Sequence, residues 1–127
     1  MGYYEDDEIL KRVYKDVPIN EFKGSVLYVG MGSAWVPRIQ PKAVKRTVIV
    51  EIDQDIIDRY FHKLNPDWEI IRFDAWKFHT EDRFDFIFID IWDSIILDKY
   101  MKIIENKYSN FLNPEGKVIF LESIRVF

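Results

Sequence analysis

Apolar residues gather in five short runs along this chain, at 25–29, 47–52, 69–73, 84–89 and 117–121, with polar stretches between them. The first two are almost wholly apolar up to their last positions instead of alternating, which is the pattern of parallel strands covered on both faces. Between the runs the apolar spacing becomes helical. Ile9, Leu10, Val13, Tyr14 and Val17 fall on one face over 5–16, and Ile56, Ile57, Tyr60, Phe61 and Leu64 do so over 54–64. A longer stripe of Ile96, Tyr100, Met101, Ile103, Ile104, Tyr108 and Phe111 runs through 95–112. Asp6, Asp7 and Glu8 favour the start of the first helix, where the dipole attracts anions, and Pro18 and Asn20 end it. Lys23-Gly24, Asn65-Pro66 and Asn113-Pro114-Glu115-Gly116 mark turns. A helix after Gly32 must be short, because Pro37 is tolerated only near its first turn and Pro41 not in its interior; Ser33 is its candidate N-cap. This order of elements predicts a single α/β domain with a parallel sheet, made of an N-terminal helical segment over 1–23, a core over 24–122 and a tail over 123–127.

At 127 residues, 48% hydrophobic and 31% charged, the chain can bury a real core. A net charge of −4 gives no general attraction to nucleic acid or to an anionic membrane, so neither is an expected partner. Arg38, Lys42, Lys45 and Arg46 form a local exception, readable as a solvated turn or as a contact surface. The absence of cysteine removes disulfides, thiolate metal sites and cysteine nucleophiles, and fits the expectation of a cytoplasmic protein. No apolar run approaches the ~20 residues of a membrane span. His62 and His79 have no partner at ligand spacing, so no metal is expected.

Candidate chemistry begins at Gly30-Met31-Gly32, where the first strand ends, and at Glu51, where the second does. A Gly-x-Gly turn lets backbone come close to a ligand, and an acid at the next strand end can accept from ribose hydroxyls. The combination points to a nucleoside. A nicotinamide or flavin site wants a third glycine where Trp35 stands, and is disfavoured. Asp74 and Asp90 close the third and fourth strands. Any one such acid reads more simply as a turn or helix cap, but three in order after Gly-x-Gly converge on the crevice where open α/β sheets bind ligands.

Together these residues resemble the class I S-adenosylmethionine-dependent methyltransferases. The run VGMGSAWVPR over 29–38 resembles, more narrowly, the first motif of spermidine-synthase-like members, with Ser33 and Ala34 in place of glycines. The resemblance implies a Rossmann-like three-layer sandwich with strand order 3-2-1-4-5, lacking the last two strands of the full methyltransferase fold. It implies S-adenosylmethionine or its decarboxylated form as cofactor. Gly30, Met31 and Gly32 would then approach the methionine part, Glu51 the ribose with Ile52 beside the adenine, and Asp74 and Ala75 the adenine edge. Trp76 would wall the adenine or join the core. The leading helix would lid the site, with Tyr3, Tyr4 or Tyr14 facing ligand or simply packing. Asp90, also near the cofactor, and Asp93 match the Asp-x-x-Asp with which spermidine synthases bind and activate the attacking amine, since a carboxylate can orient an amine and take its proton. Asp93 reads equally as the N-cap of the long helix. Ile91 and Trp92 replace the prolines that base-methylating enzymes carry there.

Three functions stay open: a methyltransferase acting on a small or amine acceptor, an aminopropyl transferase, and a non-catalytic nucleoside-binding or protein-interaction module. A homodimer is expected through the edge at strand five, whose backbone would otherwise stand unpaired.

Overall fold

The computed structural model describes residues 7–91 and 98–121. In chain order these form α1 (Asp7–Val13), β1 (Gly24–Val29), α2 (Trp35–Ile39), β2 (Val44–Val50), α3 (Gln54–Tyr60), β3 (Glu69–Ile71), β4 (Phe84–Ile89), α4 (Asp98–Ser109) and β5 (Leu112–Phe120). Short 3-10 turns at Ile19–Glu21 and Phe61–Lys63 follow α1 and α3. All strand pairs are parallel, as the apolar runs predicted, and the sheet order is β3-β2-β1-β4-β5, as the resemblance implied.

Alternating side chains feed two cores, because successive residues of a strand point to opposite faces. Val26, Tyr28, Ile49, Phe86 and Phe88 pack on one face with Leu10, Tyr14, Phe22, Ile57 and Tyr60. Leu27, Val29, Val48, Val50, Ile87 and Ile89 pack on the other with Phe78, Ile104, Tyr108 and Phe111. The arrangement is therefore a three-layer sandwich. Its register levels the strand ends: Val29 pairs with Val50 and Ile89, and Val50 with Ile71. The residues that follow β3, β2, β1 and β4 consequently stand in one row.

Several local expectations change. Ser33 does not cap α2; the cap is Ala34, in the left-handed region at φ 60°, with no side-chain hydrogen bond. The helix predicted over 54–64 tightens to 3-10 geometry at Phe61, a common end to a last turn. On α4, Met101, Ile104 and Tyr108 are buried, but Tyr100 and Ile103 lie on the exposed flank of the predicted stripe. The predicted turn over 113–116 is set inside β5, whose pairing jumps from Phe84–Leu112 to Phe86–Lys117. Among the described residues, no helix is long and apolar enough to cross a membrane.

Candidate functional site

The centre of the row is the turn after β1. Gly30 adopts φ 90°, and its amide donates to the Val50 carbonyl at 2.8 Å. A Cβ at this position would lie 2.1 Å from the Asp90 carbonyl oxygen, a backbone atom with no room to move. Glycine is thus required twice over, by its left-handed φ and by the close passage of β4. The second reason was not visible in the motif. Gly32 is buried and also in the left-handed region, at φ 52°.

Glu51, immediately beyond β2, binds the turn to its neighbour. One carboxylate oxygen accepts the Met31 amide at 2.8 Å and the other the Asp53 amide at 3.1 Å. A carboxylate offers about four lone-pair sites, so two amide donors orient this group and leave acceptor capacity. Ile52 follows with 54% of its surface exposed, a large apolar side chain at the mouth of the row, and its carbonyl accepts from Arg72 Nε at 3.1 Å. Asp53 caps α3 by accepting the Asp55 amide at 2.9 Å.

Beyond β3, Asp74 uses one carboxylate oxygen for its own turn, accepting the Trp76 amide at 2.9 Å. The Ala75 carbonyl accepts from the Tyr108 hydroxyl at 2.6 Å, tying this loop to α4. Burial, and secondarily the charge of Asp74, push the Tyr108 ionisation upward, so the phenol remains a donor. Trp76 is not core: it is 40% exposed and meets the Tyr100 ring edge-on at 6.5 Å.

Asp90, beyond β4, is 4% exposed, and its Oδ2 accepts from the Tyr14 hydroxyl at 2.8 Å. Tyr14 is itself 3% exposed, stacked on Trp35 at 5.5 Å and edge-on to Phe88 at 6.3 Å. The aromatic residue that ends the first helical segment therefore both packs and reaches the acid. Seventy-six positions separate the pair, and no short-range pattern announces it. Asp93, with Tyr3, Tyr4, Trp92 and Ile96, lies outside the described residues. The structure accordingly brings together the Gly30–Gly32 turn, Glu51, Ile52, Asp74, Ala75 and Asp90 along one edge of the sheet.

Among the described residues, two buried hydroxyls, those of Ser33 and Tyr60, have no hydrogen-bond partner. Ser33 stands directly after the glycine turn. Its carbonyl, by contrast, accepts from Arg38 Nη2 at 3.4 Å, and the next carbonyl, of Ala34, accepts from Arg38 Nε at 3.3 Å. The rest of the basic cluster lies at the start of β2, where Arg46 pairs with Glu69 at 2.8 Å and Asp82 at 2.9 Å. His79 pairs with Glu81 on the surface at 2.8 Å, and among the described residues no group of three or more acids or histidines could hold a metal.

No protein-family model and no curated protein matches the chain. Solved structures do. An N-methyltransferase, NodS from Bradyrhizobium japonicum WM9, superposes with a TM-score of 0.73 at 16% identity, covering 91% of this chain and 68% of its own. CalS10, an amino pentose methyltransferase from Micromonospora echinaspora solved with S-adenosylmethionine, gives 0.66 at 16% identity over 90% of this chain and 48% of its own. The fold is that of S-adenosylmethionine-dependent methyltransferases. A complex of DhpI with S-adenosylhomocysteine superposes at 0.73, with 16% identity, over 90% of this chain and 56% of that one. The chain thus spans about half to two thirds of the length of these methyltransferase-fold structures.

Proposed function

We propose that this chain binds S-adenosylmethionine across the ends of β1 to β4 and serves as a methyltransferase toward a small acceptor, preferentially an amine. The observation that carries the reading is the Glu51 carboxylate, held by the Met31 and Asp53 amides with acceptor capacity to spare beside an exposed apolar Ile52. A ribose needs an oriented acceptor, and an adenine needs an apolar wall beside it. The buried, unpartnered Ser33 hydroxyl in the glycine turn also fits a polar ligand there.

When bound, the cofactor supplies an electrophilic methyl group on a sulfonium. The chain's own residues do the rest. Glu51 takes the ribose hydroxyls, Ile52 lies along the base, and Asp74 and Ala75 meet its polar edge. Gly30, Met31 and Gly32 present backbone to the methionine part. Asp90 orients the acceptor amine and accepts its proton, as a carboxylate in hydrogen-bond reach of a reacting amine does. Asp93 is the second carboxylate of that pair. Tyr14 fixes the Asp90 carboxylate and also covers it, so an acceptor enters when the N-terminal segment yields. Methyl transfer is preferred to aminopropyl transfer because NodS is named an N-methyltransferase and CalS10 an amino pentose methyltransferase. A nucleoside-holding module without catalysis would share the Glu51 chemistry and differ at Asp90.

A second copy of the chain is proposed to cover β5, which pairs with β4 and, among the described residues, with no other strand. Val118, Ile119 and Phe120 leave partly exposed apolar surface along it. Light scattering on the wild type and on Val118→Lys should show a dimer that the added charge weakens; a monomeric wild type removes the proposal. For the cofactor reading, the test is calorimetry with S-adenosylmethionine and S-adenosylhomocysteine. Binding of both is expected, and heat-silent titrations with no shift in Tm would overturn it.

A further inference from the structure

The cofactor reading leaves the basic cluster of Arg38, Lys42, Lys45 and Arg46 unused. The fold gathers it around a cleft of about 390 Å³ between the end of α2, the start of β2 and the turn before β3, a size that suits a small molecule. Its floor includes Thr47, which precedes Glu51 by four residues along β2. At ~3.3 Å per residue the cleft therefore lies ~13 Å from the cofactor row, toward the other end of the sheet.

The neutral polar side chains of this cleft are turned to donate. The Tyr28 hydroxyl donates to Gln40 Oε1 at 2.7 Å, and Gln40 Nε2 donates to Thr47 Oγ1 at 2.8 Å. Burial pushes the Tyr28 ionisation upward, so the phenol keeps its proton. Gln40 thus has its carbonyl occupied and one N–H left. Thr47, only 5% exposed, is the acceptor in its bond and keeps its own hydrogen to give. On the facing turn Asn65 Oδ1 accepts the Asp67 amide at 2.8 Å, which leaves the Asn65 NH₂ group as the open end. Among the described residues no acceptor meets these three donors. A buried hydroxyl whose hydrogen meets no protein acceptor calls for one from outside.

Charge points the same way. Four cations and one carboxylate, that of Asp67, line the cleft, in a chain whose net charge is −4. Arg46 is spent on Glu69 and Asp82, which do not line it. The other three cations are not spent. Arg38 reaches the Ser33 and Ala34 carbonyls at 3.4 and 3.3 Å, and Lys45 the Lys42 carbonyl at 3.2 Å. Among the described residues neither these two nor Lys42 pairs with an acid. Trp68, partly buried against the core, adds an apolar wall.

We propose that this cleft is a second ligand site, which takes the phosphate group of a small phosphate monoester. Such a group carries roughly −2 charge at neutral pH and three oxygens that accept. Donors converge on it from α2, β2 and the turn before β3, and hydrogen bonds from charged donors are the strong ones. A carboxylate, with two oxygens and one charge, leaves donors unmet. The organic part of the ester lies along Trp68. The site is independent of the cofactor reading.

Calorimetry on the full chain tests this with inorganic phosphate and ribose 5-phosphate, and with ribose and acetate as controls. Both phosphates should bind the wild type, and neither control should. The double variant Lys42→Gln, Lys45→Gln should weaken ribose 5-phosphate by on the order of 10-fold or more, and Thr47→Val, which keeps the branched shape and loses the hydroxyl, by on the order of 10- to 100-fold. Lys117→Gln, on β5 outside the cleft, should bind as the wild type does. Thr47→Val also unpairs Gln40, so the lysine pair on the exposed rim decides the matter if that variant does not fold. The site is overturned if neither phosphate binds, if the double lysine variant binds as the wild type does, or if acetate binds as tightly as phosphate. A short single-stranded oligonucleotide that binds more tightly than ribose 5-phosphate, with the same dependence on Lys42 and Lys45, would overturn the small-molecule assignment in favour of a nucleic-acid backbone.

Discussion

The two ends of the sheet carry the same kinds of residue and use them differently. At the amino ends, charges close on one another: Arg46 bridges Glu69 and Asp82, Lys117 lies 3.7 Å from Glu21, and Asp85 accepts from both the Ser25 amide and the Asn113 side chain. At the carboxyl ends, Glu51 is gripped by amides that orient it without exhausting it, and Ser33 has nothing to bond to. Large apolar groups such as Ile52, Phe73 and Trp76 also face outward there. Acids at strand ends are therefore poor evidence of function by themselves. What separates the ends is the partner of the acid: cations for Glu69, Asp82 and Glu21 at the amino ends, neutral amides for Glu51 and Asp74 and the Tyr14 hydroxyl for Asp90 at the carboxyl ends.

The largest effect that sharpens this contrast should come from Asp90→Asn. With an amine acceptor in hand, turnover should fall on the order of 10²–10⁴-fold, as for loss of a general base, while cofactor affinity stays nearly intact. Retained turnover would leave Asp90 with a structural role only. Next in size is Gly30→Ala, which forces a side chain into a left-handed φ and onto the Asp90 carbonyl. Denaturant unfolding should show a loss on the order of 3 kcal/mol, and a loss below about 0.5 kcal/mol would contradict the described turn.

Tyr14→Phe removes the hydroxyl from a buried carboxyl group and should cost on the order of 1–3 kcal/mol of stability. A double-mutant cycle with Asp90→Asn should show coupling between the two; additive effects would mean that the bond is not formed in solution. Arg46→Ala belongs at the bottom of the scale. Its side chain and those of its partners are more than one third exposed, so screening limits the network to about 1 kcal/mol. The hydrogen bond from Arg46 lowers the Glu69 ionisation below its usual range. A folded value below the unfolded one means that this stability is present above the unfolded pKa and is lost as pH falls through the folded one. The difference between wild type and Arg46→Ala should thus shrink as unfolding is measured at progressively lower pH and at higher salt.

Much of the framework could be read from the chain because it depends on local pattern. The apolar run at 84–89 is β4 to the residue, and Glu51 and Asp90 directly follow strands whose side chains are committed to the two cores, whereas the run at 69–73 is strand only to Ile71, three residues short of Asp74, and its Phe73 is exposed. What escaped the sequence depends on contacts far apart in it. Tyr14 and Asp90 meet only once α1 has packed on the sheet, and Gly30 owes half of its necessity to a strand that begins more than fifty residues later. Ser33 departs from its local pattern for a different reason. Serine before a helix is usually a cap, but the left-handed turn at Ala34 shifts the helix start by one residue and strands the hydroxyl in the interior. The exposed Tyr100 and Ile103 show the limit of periodicity, which gives the direction of a stripe more reliably than its width.

The contrast between the two ends is tested most directly by titrating S-adenosylhomocysteine into three proteins: wild type, Glu51→Ala and Arg46→Ala. If the carboxyl ends hold the cofactor, Glu51→Ala should lose on the order of 1.5–3 kcal/mol of binding free energy, the usual worth of a hydrogen bond to a charged group, and Arg46→Ala should match the wild type. Equal affinities for all three, or a loss confined to Arg46→Ala, would contradict it.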